Sequence, residues 1–373
     1  MTAAERVRAA VGAVMDPEIR RPIGELDMVR DISVDDGVAH VAIALTIVGC
    51  PASDRIERDV RRAAASVPEI AGVEVELGVM TPAERTALTE RLRGGRAARQ
   101  MPFGPESLTR VILVSSGKGG VGKSTVTANL AAAMAAHGLR VGLLDADVHG
   151  FSIPGLLGIP LGTQPTRVDD LMLPPVAHGV KTISIGMFLR EGESAVAWRG
   201  PMLHRTITQF LTDVFFGDLD VLLIDMPPGT GDIAISVGQI LPHAEVLVVT
   251  TPQQAAAEVA IRSGLVARRT GQRLLGVVEN MGPMTMPDGT TLDLFGAGGG
   301  DEVAKALTTD EEHVPLLASV PLSPQLRTGG DAGMPVVLGE PDDPAAVAID
   351  ALARRVAAAG RGLAGRPLQV APR

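Results

Sequence analysis

The sequence predicts an α/β protein: a mostly parallel sheet flanked by helices, with a small α/β domain in front of it. Three observations predict this. From Arg110 onward, short all-apolar runs alternate with longer helical patterns, as expected of strands buried on both faces and their crossover helices. A complete glycine-rich loop falls between the first of those runs and the helix after it. Upstream, residues 1–92 carry a helix and strand pattern of their own, followed by a stretch bearing Gly, Pro and several Arg.

In chain order, a first amphipathic helix is expected over residues 4–15. It stops at Asp16-Pro17, because proline disfavours helical backbone in the residue before it. Strands fit residues 28–34 and 38–48, split by the turn Asp35-Asp36-Gly37. A second helix fits residues 53–66, residues 73–77 alternate as a third strand, and a charged helix follows Pro82. Residues 93–108 then read as a linker. In the larger domain, 109–360, residues 111–114 form a buried strand. An Ala-rich helix over 123–137 follows, stopped by Gly138, and residues 141–144 form the next strand. That spacing suits a right-handed βαβ crossover. Further buried strands fit 221–224, 246–249 and 275–278, and residues 361–373 read as a flexible tail.

Composition narrows the function classes. Hydrophobic residues make up 46% of the 373, but aromatics only 2%, so Ala, Val, Leu and Ile must build the core. The charge of -9, from 34 basic and 43 acidic residues, argues against a nucleic-acid binder. The local run Arg91, Arg93, Arg96 and Arg99 reads as a solvated linker in preference to a binding patch. Cys50 is the sole cysteine, which rules out an intramolecular disulfide. No stretch is long enough to span a bilayer and no secretory leader is visible, so no membrane partner and a cytoplasmic location are expected.

The chemistry starts at Gly117, Lys118, Gly119, Gly120, Val121, Gly122, Lys123 and Ser124, followed by Thr125, which fits G-x-x-x-x-G-K-[ST] in full. Glycines let successive backbone N–H groups turn inward around phosphate oxygens, and the following helix adds its positive end. Lys123 is a point charge for the β and γ phosphates, and the Ser124 hydroxyl is a ligand for Mg²⁺. Asp145 and Asp147 stand at the C-terminal end of a strand, where open α/β sheets bind ligands. Acids there suit Mg²⁺, partly through water, and the orientation of an attacking water. Asp225 ends the apolar run Val221-Leu222-Leu223-Ile224, a carboxylate placed for Mg²⁺. Asn280 follows another strand, and its amide both donates and accepts, as recognition of a base requires. The residues alone admit ATP or GTP.

The pattern K-G-G-x-G-K-[ST], with Lys118 as its early lysine, resembles the deviant Walker A ATPases of the P-loop superfamily, the group that includes MinD, ParA, nitrogenase iron protein and Mrp/ApbC. The resemblance implies that Lys118 reaches across a homodimer interface to the partner's ATP, that Asp147 is the switch I acid needed for hydrolysis, and that Asn280 contacts adenine. It narrows at Asp145-Ala146-Asp147-Val148-His149-Gly150-Phe151-Ser152-Ile153-Pro154, at Trp198-Arg199-Gly200-Pro201-Met202, and at Asp225-Met226-Pro227-Pro228-Gly229-Thr230-Gly231-Asp232. These segments, with Phe295-Gly296, Gly298-Gly299-Gly300 and Val320-Pro321-Leu322, are similar to the Mrp/ApbC family. Asp16-Pro17-Glu18 and the run Leu45 to Pro51 look like the small iron–sulfur-assembly domain that often precedes it. The resemblance therefore implies an ATP-hydrolysing iron–sulfur cluster carrier that passes clusters to apo-proteins.

One departure matters. The family's C-x-x-C pair belongs between Asn280 and Phe295, and that interval holds no cysteine; Pro287-Asp288-Gly289 reads there as a tight hairpin turn. Clusters are ordinarily held by four thiolates. A homodimer of this chain has two, so a cluster needs Cys50 from each subunit plus other ligands, or thiols from a partner. Cys50 itself reads either as a reactive thiol or as an inert space-filling side chain. Three readings follow: a cluster carrier, an ATP-gated adaptor that holds no cluster, and a MinD/ParA-like positioning ATPase. The last calls for a membrane-seeking or DNA-binding element, and the Pro- and Gly-bearing tail is a poor helix former.

Overall fold

The computed structural model describes residues 1–94, 100–148, 150–188 and 200–359. The expectations placed on Arg96, Arg99, His149, the Trp198-Arg199 pair and the tail lie outside the described residues.

The N-terminal part runs α1 (Ala3–Gly12), β1 (Val29–Asp35), β2 (Val38–Leu45), α2 (Ser53–Ala65), β3 (Gly72–Val79) and α3 (Pro82–Arg93). Thr2 and Glu5 form a capping box at the start of α1, and Thr81 and Glu84 form another at α3. The helix α1 ends three residues before the expected boundary. There Gly12 lies against Gly24, and a Cβ on Gly24 would stand 3.0 Å from the Gly12 backbone. The chain then turns through Asp16, whose carboxylate accepts the N–H groups of Glu18 and Ile19 at 2.9 and 2.7 Å. Asp36 and Gly37, both at positive φ, make the expected hairpin turn between β1 and β2. The sheet order is β1-β2-β3, with β1 antiparallel and β3 parallel to β2.

The remainder runs β4 (Arg110–Ser116), α4 (Lys123–Ala136), β5 (Val141–Asp145), α5 (Ile153–Leu156), β6 (Thr166–Val168), β7 (Leu171–Leu173), β8 (Val176–Ala177), β9 (Val180–Ser184) and α6 (Gly200–Asp213). It continues with β10 (Val221–Asp225), α7 (Asp232–Ile240), β11 (Glu245–Thr250), α8 (Gln254–Arg269), β12 (Arg273–Gly282), β13 (Met284–Thr285) and β14 (Thr291–Leu292). Last come α9 (Gly299–Leu307), β15 (Leu316–Pro321), α10 (Pro324–Asp331), α11 (Val336–Gly339) and α12 (Pro344–Ala358). The large sheet has the order β15-β12-β11-β4-β10-β5-β9-β8 and is parallel except at the β8 edge. Its central strands are buried on both faces, as their continuous apolar runs require. Among the described residues, no helix is long and apolar enough to cross a membrane.

Besides the strands β8, β9 and β15, two features that tie the parts together went unread in the sequence. Phe103, inside the stretch expected to be a linker, is buried in the core of the large domain and meets Phe216 edge-on at 5.9 Å. The hairpin of β6 and β7 sends Val168, Leu171 and Leu173 into the core of the N-terminal part, where Phe215 joins them. Its turn residues Asp169 and Asp170 pair with Arg85 and Arg93 of α3, and Thr166 donates to Glu18 at 2.7 Å. Arg91 pairs with Asp27. The described arginines of the basic run are thus structural anchors.

Candidate functional site: the carboxylate cluster beneath the glycine-rich loop

The register of the central strands builds the site. Asp225 lies opposite Asp145 in the β10–β5 pairing and opposite Val114 in the β10–β4 pairing. Both acids therefore stand at the C-terminal end of the sheet, beside the loop that leaves β4, where parallel sheets expose their ligand crevice. The loop needs its glycines for two reasons. Gly120 and Gly122 hold φ of 79° and 78°, and a Cβ on Gly117 would run into the Val259 backbone of α8. Gly122 is also the N-cap of α4, with Asn280 packed directly on it.

Asp225 is fully buried and gathers three donors. Lys123 Nζ donates to Oδ2 at 2.6 Å, Ser124 Oγ to the same oxygen at 2.6 Å, and Thr127 Oγ1 to Oδ1 at 2.8 Å. Lys123 also reaches Ser124 Oγ at 3.1 Å and stands 4.0 Å from Asp147. Burial pushes the Asp225 carboxyl up, and the charge and hydrogen bond of Lys123, then the two hydroxyls, pull it back. Asp145 is fully buried as well; it accepts Ser184 Oγ at 2.9 Å and the Asp147 N–H at 3.2 Å. Its carboxyl is pushed up to about 8, first by burial and then by the neighbouring Asp225. Asp147, at the start of the loop after β5, accepts the Gly150 N–H at 3.1 Å. Two acids and a serine hydroxyl form a hard-oxygen donor set, the kind that suits Mg²⁺.

Lys118 points along the exposed side of the loop and donates to Gln253, the N-cap of α8, at 3.2 Å. Asn280 is buried, and its amide donates to the loop carbonyl of Val121 at 2.9 Å. It borders a cavity of about 360 Å³ with Thr125, Pro321, Leu322 and Arg327, which opens beside the start of α4. The structure thus brings Lys123, Ser124, Asp145, Asp147 and Asp225 together, with Asn280 on the far side of the loop.

Cys50 is elsewhere. It is 4% exposed in the core of the N-terminal part, where burial pushes its thiol up to about 11. The interval between Asn280 and Phe295 forms the expected hairpin: β13 and β14 pair antiparallel, and Gly289 sits at φ 84°. Asp288 fixes its turn by accepting the N–H and hydroxyl of Thr290.

Sequence reasoning missed Thr127, Ser184 and Glu279. Thr127 lies one helical turn after Lys123, a spacing that puts both on the Asp225 side of α4 and offers the one readable signal. Buried Glu279 ties together Gly300 at the start of α9 and Ser319 of β15, at 2.8 Å each, and so fixes the strand that carries Asn280.

Both parts of the chain match known proteins. Residues 107–357 match the model described as NUBPL iron-transfer P-loop NTPase, and residues 4–77 match an iron-sulfur cluster assembly protein model. An iron-sulfur cluster carrier protein of Mycobacterium tuberculosis is 54% identical over 369 residues, covering 98% of this chain and 96% of that protein. One from Synechocystis is 39% identical, covering 96% and 98%. Among solved structures, a nucleotide-binding protein from Archaeoglobus fulgidus in complex with ADP is 37% identical, with a TM-score of 0.50, covering 60% of this chain and 86% of that one. The cell division ATPase MinD of Pyrococcus furiosus is 27% identical at a TM-score of 0.50, covering 66% and 98%.

Proposed function

Because the chain belongs to the family of NUBPL iron-transfer P-loop NTPases, we propose that it is an ATP-hydrolysing iron–sulfur cluster carrier or assembly factor that delivers clusters to apo-proteins. The observation that carries the nucleotide half of this reading is the Lys123–Ser124–Thr127 donor set closed on Asp225 beneath a glycine loop. The cargo half rests on full-length similarity to proteins named as carriers.

In this reading the backbone of Gly117, Lys118, Gly119, Gly120, Val121, Gly122 and Lys123 cradles the phosphates of ATP, with Ser124 and Thr125 opening the helix beneath them. Lys123 leaves Asp225 for the β and γ phosphates, trading one anion for another. Ser124, Asp225 and Asp145 would hold Mg²⁺, the acids partly through water; when bound, the ion neutralises phosphate charge. Asp147, 4.0 Å from Lys123, orients the attacking water. Asn280 and the cavity beside it receive adenine. Lys118, on the exposed side of the loop, reaches the nucleotide of a second copy, which makes the active species a homodimer. A single cysteine, with no intramolecular disulfide, fits a cytoplasmic setting.

One observation favours a second reading. No cysteine lies in the β13–β14 hairpin, and Cys50 is buried. Two copies of the chain therefore fall short of the four thiolates a cluster ordinarily takes. An ATP-gated adaptor in iron–sulfur protein maturation, docking clients without holding a cluster, uses the same fold and nucleotide.

The nucleotide half is tested by Mg–ATP binding and turnover of the full-length chain and its Lys123→Ala variant. Binding should be lost in the variant; unchanged ATP affinity would remove the loop from the account.

A further inference from the structure

A cleft of about 240 Å³ opens where the N-terminal part meets the large domain, and no residue of the glycine loop lines it. Four cations line it, Arg20 and Arg21 from one side and Arg140 and Lys181 from the other, against one carboxylate, Asp218. Lys181 is the unusual member. It is 4% exposed on β9, yet among the described residues its ammonium has a single hydrogen bond, to the Ile19 carbonyl at 3.4 Å, and lies over the Phe215 ring at 4.9 Å. An ammonium offers three donors, and a buried charge is costly unless those donors are used. Burial first, then the like charge of Arg20, pulls its pKa down to about 8, while Asp16 and Asp218 act in the other direction.

The surroundings hold this geometry at some expense. Arg20 is a non-glycine residue at φ 61°, a strained backbone state that persists only where its neighbours impose it. Its guanidinium donates to the Gly179 carbonyl at 2.9 Å, next to β9, which sets it beside Lys181. Arg21 is 4.0 Å from Asp218, a loose pair whose acid is 77% exposed. Arg140 is held in place by Asp220 at 2.8 Å, which neutralises its charge and leaves Arg20, Arg21 and Lys181 facing the one lining carboxylate of Asp218.

We infer that this cleft is an anion site for a small phosphate-class ligand, gripped by Lys181, Arg20 and Arg21 across the junction of the two parts. Guanidinium forks and a lysine point charge suit the oxygens of a phosphate, and a bound phosphate supplies the acceptors that the Lys181 ammonium lacks. The volume admits a phosphate or pyrophosphate. This inference does not depend on whether the chain hydrolyses ATP.

The test is calorimetric titration of the full-length protein with inorganic phosphate, then pyrophosphate. It is run in a buffer free of both, with Mg²⁺ and a saturating non-hydrolysable ATP analogue filling the glycine loop. One site per chain is expected. Lys181→Met, which keeps the buried volume, and Arg21→Gln, at a half-exposed position that spares the core, should each weaken it at least about tenfold. Absence of phosphate binding, or equal binding by both variants and the wild type, would overturn the inference. Binding of citrate without binding of phosphate would overturn its phosphate class.

Discussion

A buried carboxylate that gathers a lysine, a serine and a threonine is a store of interactions waiting for a ligand. In the proposed reading Asp225 keeps Lys123 paired until phosphate oxygens take it over, so the buried lysine has an anionic partner in either state. Asp147 is different in kind: it neither closes on Asp225 nor sits in the loop, and its proposed role is confined to hydrolysis. For Asp147→Asn, ATP binding should persist while turnover falls about 10²-fold or more, measured by equilibrium binding and phosphate release; normal turnover would move that role elsewhere. Cys50 invites a pH test. Its folded pKa near 11 leaves little thiolate at pH 8. Alkylation of the native protein should therefore be about 100-fold slower than after unfolding, before burial is counted, and should accelerate as pH rises towards 11. Alkylation at equal rates in the native and unfolded chain would restore Cys50 as an available ligand. Such details were only partly legible in the sequence. The loop motif is contiguous and announces itself. The partners of Asp225 and Asp145 meet across neighbouring strands, with Ser184 39 residues from Asp145, and no local spacing marks them.

At the scale of elements, β8, β9 and β15 went unread, being two residues long, broken by polar residues or half-exposed. The strands β4, β5, β10, β11 and β12 of the large sheet were readable because each is a mainly apolar run buried on both faces. The β6–β7 hairpin was not: its strands are three residues each, too short for a period, and their hydrophobic side chains serve the core of another part of the chain. The linker misled for a similar reason, since Met101 and Phe103 are two isolated apolar residues beside Pro102 and Gly104, too few to show a period. The hairpin follows the Asp147 loop and α5 in sequence and ends just before β8 and β9. It therefore joins the segment that follows Asp147 to the N-terminal part. Leu173, 1% exposed in that shared core, gives the direct check. Leu173→Ala should cost about 2–5 kcal/mol in urea unfolding. It should also make α3 easier to cleave by protease, because the Asp169 and Asp170 anchors sit on the same hairpin. An unfolding midpoint and cleavage pattern identical to wild type would separate the hairpin from the docking of the N-terminal part.

For the whole molecule, the account joins a nucleotide site at the ends of the central strands to an N-terminal part held by one hairpin and a row of ion pairs. Lys118 extends that account to a second copy. Lys118→Ala should leave ATP binding by single chains intact while weakening ATP-dependent dimerisation, read by light scattering; equal dimerisation would refute the cross-interface role. The cargo is the central claim, and the scarcity of thiols makes it the sharpest one. The most direct measurement is anaerobic cluster reconstitution of the full-length protein and Cys50→Ala, with iron and sulfide counted per dimer, followed by transfer to an apo iron–sulfur acceptor with Mg–ATP. The account predicts stoichiometric iron and sulfide on the wild type and delivery to the acceptor, and loss of the cluster in Cys50→Ala would assign Cys50 as a ligand. ATP bound and hydrolysed with no iron or sulfide retained would contradict the carrier and leave the adaptor.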